Sequence, residues 1–279
     1  MTRTIGFAHP GQMGVSIAAA VIAGGNQAAW ASEGRSEATQ KRADGAGLQD
    51  LQSLKALCDG SEMLFSICPP DKAIQLARDV VDAGFKGKFV DCNAVSPATA
   101  HTTAEIIHGG GGQFIDGGIV GPPAVRPGIT RMYVSGSEAE SVPPLFKDTL
   151  VDCRVVGSEV GGASALKMAY AGWSKGSTAL LMTQVALARA QGVEDAFYEE
   201  MNLSLPGIRE KLTKGSTTSA PKAWRFVGEM KEIEQSLNDA GLPGAWFAGA
   251  ADTYSRLSGF KNQQGLAEDE IIDVLLKKG

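Results

Sequence analysis

Short apolar runs alternate with amphipathic stretches through the first half of the chain, and the alternation predicts βαβ units feeding a parallel sheet. Strands are expected at Thr4 to Ala8, Gln27 to Ser32, Met63 to Cys68, Lys88 to Cys92 and Gln113 to Val120. Helices are expected between them at Met13 to Ala23, Ser36 to Gly45 and Asp71 to Gly84, the last opening after Pro69-Pro70 and closing at a glycine. A further pair of strands, Arg131 to Ser135 and Cys153 to Val156, flanks a helix expected at Ala139 to Thr149 and completes the sheet near residue 158.

Beyond that point the period changes. Ala163 to Gln191 reads as one helix rich in Ala, Leu and Met, closed by Gly192 and apolar enough to be buried on several sides. Glu194 to Ser204, Pro221 to Gly241 and Ala245 to Leu257 also follow a helical period, and Ala267 to Lys278 is a terminal helix or a frayed end. The expected fold is an α/β Rossmann-type doubly wound sheet (1–158) followed by an all-α domain (159–279) for substrate and dimerisation.

Composition narrows the function classes. The 279 residues suit two cores, and 43% hydrophobic with 20% charged residues is a globular balance. A net charge of -5 and scattered Lys and Arg speak against nucleic acid as a partner. No apolar run reaches the roughly 20 residues of a membrane span, and no signal-like segment precedes the first strand, so a cytoplasmic protein is expected. Cys58, Cys68, Cys92 and Cys153 are widely spaced and read as reduced core residues; no metal site is expected.

The first strand runs into His9-Pro10-Gly11-Gln12-Met13-Gly14 and then a helix, the context of a dinucleotide-binding turn. Gly11 allows backbone to approach a pyrophosphate, Gly14 allows close packing of helix on sheet, and the helix start offers its amides. His9 stands where the tight turn expects its first glycine. At the end of the second strand, Glu33 lies 19 residues past Gly14 and suits the ribose diol of NAD. Arg35-Ser36 follows at once, with Lys41 and Arg42 beyond, and an arginine beside a hydroxyl suits the 2′-phosphate of NADP. The balance favours NADP, with NAD as the alternative.

A second constellation lies at the start of the long helix, Gly161-Gly162-Ala163-Ser164-Ala165-Leu166-Lys167-Met168-Ala169-Tyr170-Ala171. A lysine among small and apolar residues needs a reason. Helical spacing places Tyr170, Ala171, Ser174 and Thr178 on its face. Between the two constellations stand Asp91-Cys92-Asn93-Ala94-Val95-Ser96-Pro97 and Asp116-Gly117-Gly118-Ile119-Val120-Gly121-Pro122-Pro123.

In order and spacing these four motifs resemble those of the β-hydroxyacid dehydrogenase and 6-phosphogluconate dehydrogenase superfamily, across most of the chain. The second half, with Lys222 to Met230, is similar to a phosphogluconate dehydrogenase-like subgroup with a divergent C-terminal domain. The resemblance implies an NADP- or NAD-dependent dehydrogenase or reductase for a small hydroxyacid or related hydroxy or carbonyl compound, with Lys167 as general acid/base and Asn93 and Tyr170 beside it. It implies substrate contacts from Val120, Gly121, Pro122, Ser174 and Trp224, and cofactor contacts from residues 9–14, Glu33, Arg35, Ser36, Cys68, Pro69, Pro70 and Asn93. Burial of such a lysine lowers its pKa toward the working range of a base. Two positions depart from the pattern: Val120-Gly121-Pro122 replaces Ser-Gly-Gly, and Ala171 replaces an asparagine. Both remove polar groups, so the implied substrate is less like a sugar acid. Imine reduction and a non-catalytic NADP-binding sensor or scaffold are the alternatives; a homodimer with interlocked helical domains is the expected assembly.

Overall fold

In the computed structural model, which describes residues 4–277, the chain divides into two compact units, one ending at Met168 and the other beginning at Ala169. The division falls inside a helix, not ahead of it at residue 158.

The first unit is built on an eight-stranded sheet: β1 (Thr4–Phe7), β2 (Gln27–Trp30), β3 (Gln49–Asp50), β4 (Met63–Ser66), β5 (Lys88–Asp91), β6 (Gln113–Val120), β7 (Thr130–Ser135) and β8 (Val151–Gly157). Their spatial order is β3-β2-β1-β4-β5-β6-β7-β8, and every neighbouring pair is parallel except β6 with β7. Helices α1 (Gln12–Ala23), α2 (Glu37–Gly45), α3 (Leu54–Gly60), α4 (Ala73–Asp82) and α5 (Pro97–Gly109) connect the parallel strands. Alternate strand residues enter opposite cores, as a sheet covered on both faces requires. Met63, Phe65, Val90 and Ile115 pack into one, and Leu64, Phe89 and Phe114 into the other. Serines start the helices: Ser36, Ser53 and Ser96 accept hydrogen bonds from the amides of Thr39, Ala56 and Thr99.

The strands fall where the period predicts them, and β3, α3 and α5 are additions. The helix expected at Ala139 to Thr149 is instead two 3-10 turns, Ala139–Ser141 and Pro143–Phe146. Pro143 and Pro144 remove two amide donors and clash with a helical backbone, so no α-helix propagates there. Likewise α4 starts only after a 3-10 turn at Pro70–Lys72.

The helix in which the division falls is α6 (Gly162–Ala171). The long helix expected from Ala163 to Gln191 is a helical run with a π-helical turn at Gly172–Gly176 between α6 and α7 (Ser177–Ala190). A side-chain carbon at Gly176 would stand 2.8 Å from the Phe247 ring, so that ring packs directly on the π turn. The second unit continues with α8 (Glu194–Ser204), α9 (Ile208–Ser219), α10 (Ala223–Asp239), α11 (Ala245–Arg256) and α12 (Glu268–Leu276). The expected helix Ala267 to Lys278 thus ends earlier, and Lys278 lies outside the described residues. Met182, Val185, Leu212, Met230, Ile233, Tyr254, Ile271 and Ile272 form its interior. Arg189 ties α7 to α12 through Asp269 and Asp273.

Candidate functional site

Parallel register brings the carboxyl ends of β1, β4, β5 and β6 to one edge of the sheet, the edge at which doubly wound folds hold ligands. The turn after β1 carries residues 9–14, the loop after β4 carries Cys68, Pro69 and Pro70, the loop after β5 carries Asn93, and Ile119 and Val120 close β6.

At the first of these, Gly11 caps α1 without a side-chain bond, and its own amide donates to His9 O at 2.9 Å. The next amides have no carbonyl behind them in the helix and offer themselves to an anion. A side chain at Gly14 would put its first carbon 2.5 Å from His9 O, whereas the space above Gly11 is open. The turn therefore presses α1 onto the strand and leaves a cradle in front of its amides. Gln12 is exposed, Met13 is half-buried against the core, and Pro10 is buried. His9 is largely buried, with Nδ1 lacking a hydrogen-bond partner. Burial first, and the charge of Arg35 second, lower its pKa to about 4, so the imidazole is neutral at ordinary pH.

Arg35 is thus close enough to act electrostatically on the turn, and its own pKa is lowered by burial, with Cys68 opposing the shift. Glu33, by contrast, is exposed, and its amide donates to Gln52 O at 2.8 Å. Ser36 is committed to capping α2.

Asn93 is 2% exposed. Its Nδ2 donates to Ser66 Oγ at 2.7 Å, and its Oδ1 accepts from the amide of Cys68 at 2.5 Å. The side chain expected beside the reacting centre is a clasp that fixes the loop after β4 to the end of β5. Val120 is 3% exposed, its side chain buried in the sheet, whereas Gly121 and Pro122 after it are exposed. Their loop is anchored at both ends, with Thr130 Oγ1 donating to Pro122 O at 2.6 Å and the amide of Ala124 donating to Ser16 Oγ at 3.1 Å.

Lys167 is half-buried on α6, and its Nζ donates to Ile119 O at 2.7 Å, which holds the ammonium at the end of β6. Two features put α6 there. Gly118 offers no side chain, so the helix lies directly on the strand; a carbon added to it would be 2.9 Å from Lys167 Cβ and 3.0 Å from Ala163 O. Asp116 then pins the helix start. Its carboxylate accepts from Ser164 Oγ at 2.6 Å, from the amides of Ser164 and Gly161 at 2.9 and 3.0 Å, and from Ser135 Oγ at 3.0 Å. Burial raises the Asp116 pKa, while the donors from Ser164, Ser135 and Gly161 pull it back. Ser135 and Ser164 were not singled out in the sequence; the glycine pair after Asp116 is the only local sign of this contact.

Tyr170 is 49% exposed on the last turn of α6. Ser174 lies within the π turn, whose wider winding breaks the helical period, so Ser174 and Thr178 do not continue the face that begins at Lys167. In the second unit Trp224 is half-buried on α10, with Lys261 Nζ 4.2 Å from its ring centre. Among the described residues no group of three or more His, Cys, Asp or Glu side chains forms a metal site, and no helix is long and apolar enough to cross a membrane.

Residues 188–257 match a family described as Domain of unknown function (DUF1932). An uncharacterized 28.5 kDa protein in the 7S RNA 5′ region of Methanothermus fervidus is 32% identical over 167 residues, which cover 60% of this chain and 64% of that protein. A solved conserved protein of unknown function, described as structurally similar to 3-hydroxyacid dehydrogenases, superposes with a TM-score of 0.67 at 25% identity, covering 91% of this chain and 97% of its own. The 3-hydroxyisobutyrate dehydrogenase of Mycobacterium tuberculosis, solved with L-serine, superposes at 0.71 with 15% identity over 99% and 100%. A reductive aminase of Aspergillus terreus, solved with NADPH4, cyclohexanone and allyl amine, superposes at 0.59 with 16% identity over 98% and 99%. The chain thus has the fold of the 3-hydroxyacid dehydrogenases, and its residues 188–257 match DUF1932.

Proposed function

We propose that the chain is an NADP-dependent oxidoreductase acting on a small hydroxyacid or a related hydroxy or carbonyl compound, with Lys167 as general acid/base. The observation that carries this reading is the position of Lys167. Its Nζ is held by Ile119 O at the same sheet edge as the glycine turn, on a helix fixed by the buried Asp116.

The cradle in front of α1 fits a dinucleotide: open space above Gly11, amides at the helix start and no acid in the first turn. Gly11, Gln12, Met13 and Gly14 would hold the pyrophosphate. Arg35, whose charge reaches the turn, favours the 2′-phosphate of NADP over the plain ribose of NAD, which Glu33 would hold. When bound, the nicotinamide accepts or supplies the hydride. Lys167 takes the hydroxyl proton in oxidation and returns it in reduction, and the loop at Gly121 and Pro122 lies at the end of the same strand, where it limits the size of what approaches. Because Asn93 is committed to its clasp, it orients the loop at Cys68 and not the substrate.

We also propose that the protein is a homodimer. Trp173 and Trp246 are 68% and 67% exposed and line one groove with Leu180 and Phe247, an apolar surface suited to a second copy.

The test is a panel of small 3-hydroxyacids with NADP, and of the matching carbonyl compounds and imines with NADPH. Turnover of a hydroxyacid or carbonyl is the expected result. Tight NADPH binding with no turnover anywhere in the panel would favour a sensor, and turnover confined to imines would move the chemistry to C=N reduction.

A further inference from the structure

The start of α10 carries an arrangement of charge that runs against helix electrostatics. Lys222 caps the helix, Arg225 lies in its first turn, and that turn has no acidic residue. The positive end of a helix dipole favours anions and repels cations, so two cations there are unfavourable unless something negative joins them. Glu229, one turn on, is engaged by Lys175. Among the described residues, neither Lys222 nor Arg225 nor Lys261 makes an ion pair.

Two of these cations, Lys261 and Arg225, flank one indole, and Lys222 lies within electrostatic reach of Arg225. Lys261 Nζ is 4.2 Å and Arg225 Cζ 5.5 Å from the centre of the Trp224 ring. The amide of Asn262 donates to Pro221 O at 3.1 Å, which ties the segment bearing Lys261 to the one bearing Lys222. Two donors in the cluster, Trp224 Nε1 and Arg225 Nε, are buried without an acceptor among the described residues. A buried donor left unmatched costs about 1–3 kcal/mol, which an acceptor oxygen drawn in beside it would remove. Partial burial first, and then the neighbouring charges of Arg225 and Lys175, push the Lys222 ammonium below the usual lysine range.

We propose that Lys222, Arg225, Lys261 and Trp224 form a binding site for a small oxyanion, a phosphate or carboxylate group. Arg225 supplies a planar fork of donors, Lys222 and Lys261 supply point charges, and Trp224 supplies a flat wall and one N–H. The site lies wholly within the second unit and requires neither the nicotinamide nor Lys167. Its failure would leave the proposed reaction standing, and the converse also holds.

The experiment is a titration of the full chain at low ionic strength, without nicotinamide, following thermal stability and tryptophan fluorescence. Inorganic phosphate is one probe, malonate the carboxylate probe, and sodium chloride at matched ionic strength the control. A saturable response to phosphate or malonate beyond that of chloride is expected, the stronger of the two naming the source. Arg225→Gln and Lys222→Gln should each weaken it about tenfold, the loss of one charge-assisted hydrogen bond, while Lys147→Gln, an exposed cation of the first unit, leaves it unchanged. Should Arg225→Gln fail to fold, exposed Lys222 still provides the comparison. No response above chloride, or equal responses from all variants, would overturn the site.

Discussion

His9 stands where a dinucleotide turn ordinarily has glycine, and the structure accommodates it as a neutral, buried ring. Its folded pKa of about 4 lies below the ordinary 6.5, so the folded state prefers the unprotonated form. The stability this contributes is complete above pH 6.5 and is lost as pH falls toward 4, by on the order of 3 kcal/mol at most. Urea unfolding of the cofactor-free protein should therefore show a loss between pH 7 and pH 4.5 that is larger than in His9→Gln; equal losses would refute a buried neutral histidine. Gly14 is the complementary case. Its replacement by alanine sets a carbon 2.5 Å from His9 O, so the turn must open. Gly14→Ala should weaken NADPH binding by about tenfold or more, as measured by calorimetry, since a shift of one ångström there misaligns the amides.

Elements differ in how far the sequence announces them. The strands β1, β4, β5 and β6 were legible because each carries a short apolar run, and in β4, β5 and β6 alternate residues of that run feed two cores. The glycine turn was legible because strand, turn and helix are neighbours in the chain. The pinning of α6 was not: Asp116 and Ser164 are 48 positions apart, and the glycine pair after Asp116 does not name the partner it makes room for. The π turn was invisible for the same reason, since it packs against Phe247, a residue on a different helix. Asn93 was found, but its bonds to Cys68 and Ser66 were not, because a buried amide that spans two loops looks in sequence like one that faces a ligand. At the scale of the element, Gly118→Ala is the most informative change. Its side-chain carbon would meet Lys167 Cβ at 2.9 Å and push α6 off β6. We expect a stability loss of about 1–3 kcal/mol by urea unfolding, with turnover falling further than that loss explains.

For the whole molecule, the division at residues 168 and 169 places Lys167 at the end of the sheet-bearing unit, with the helical unit beginning two residues later. Lys167 thus belongs to the unit that carries the glycine turn, and the helical unit has an apolar groove bounded by Trp173, Leu180, Trp246 and Phe247. A dimer should appear in light scattering, and Trp246→Glu should convert it to a monomer without unfolding the chain, because that side chain is mostly exposed in the single chain. A wild-type monomer at every concentration would remove the dimer.

The central claim rests on Lys167, and Lys167→Met tests it most directly. Methionine keeps the length and apolar stem of the side chain while removing the amine proposed as general acid/base. With the substrate found in the hydroxyacid and carbonyl panel, the variant should bind NADPH as tightly as the wild type and lose turnover by about a hundredfold or more, the usual range for removing a general acid/base. Unchanged turnover with intact binding would contradict the account.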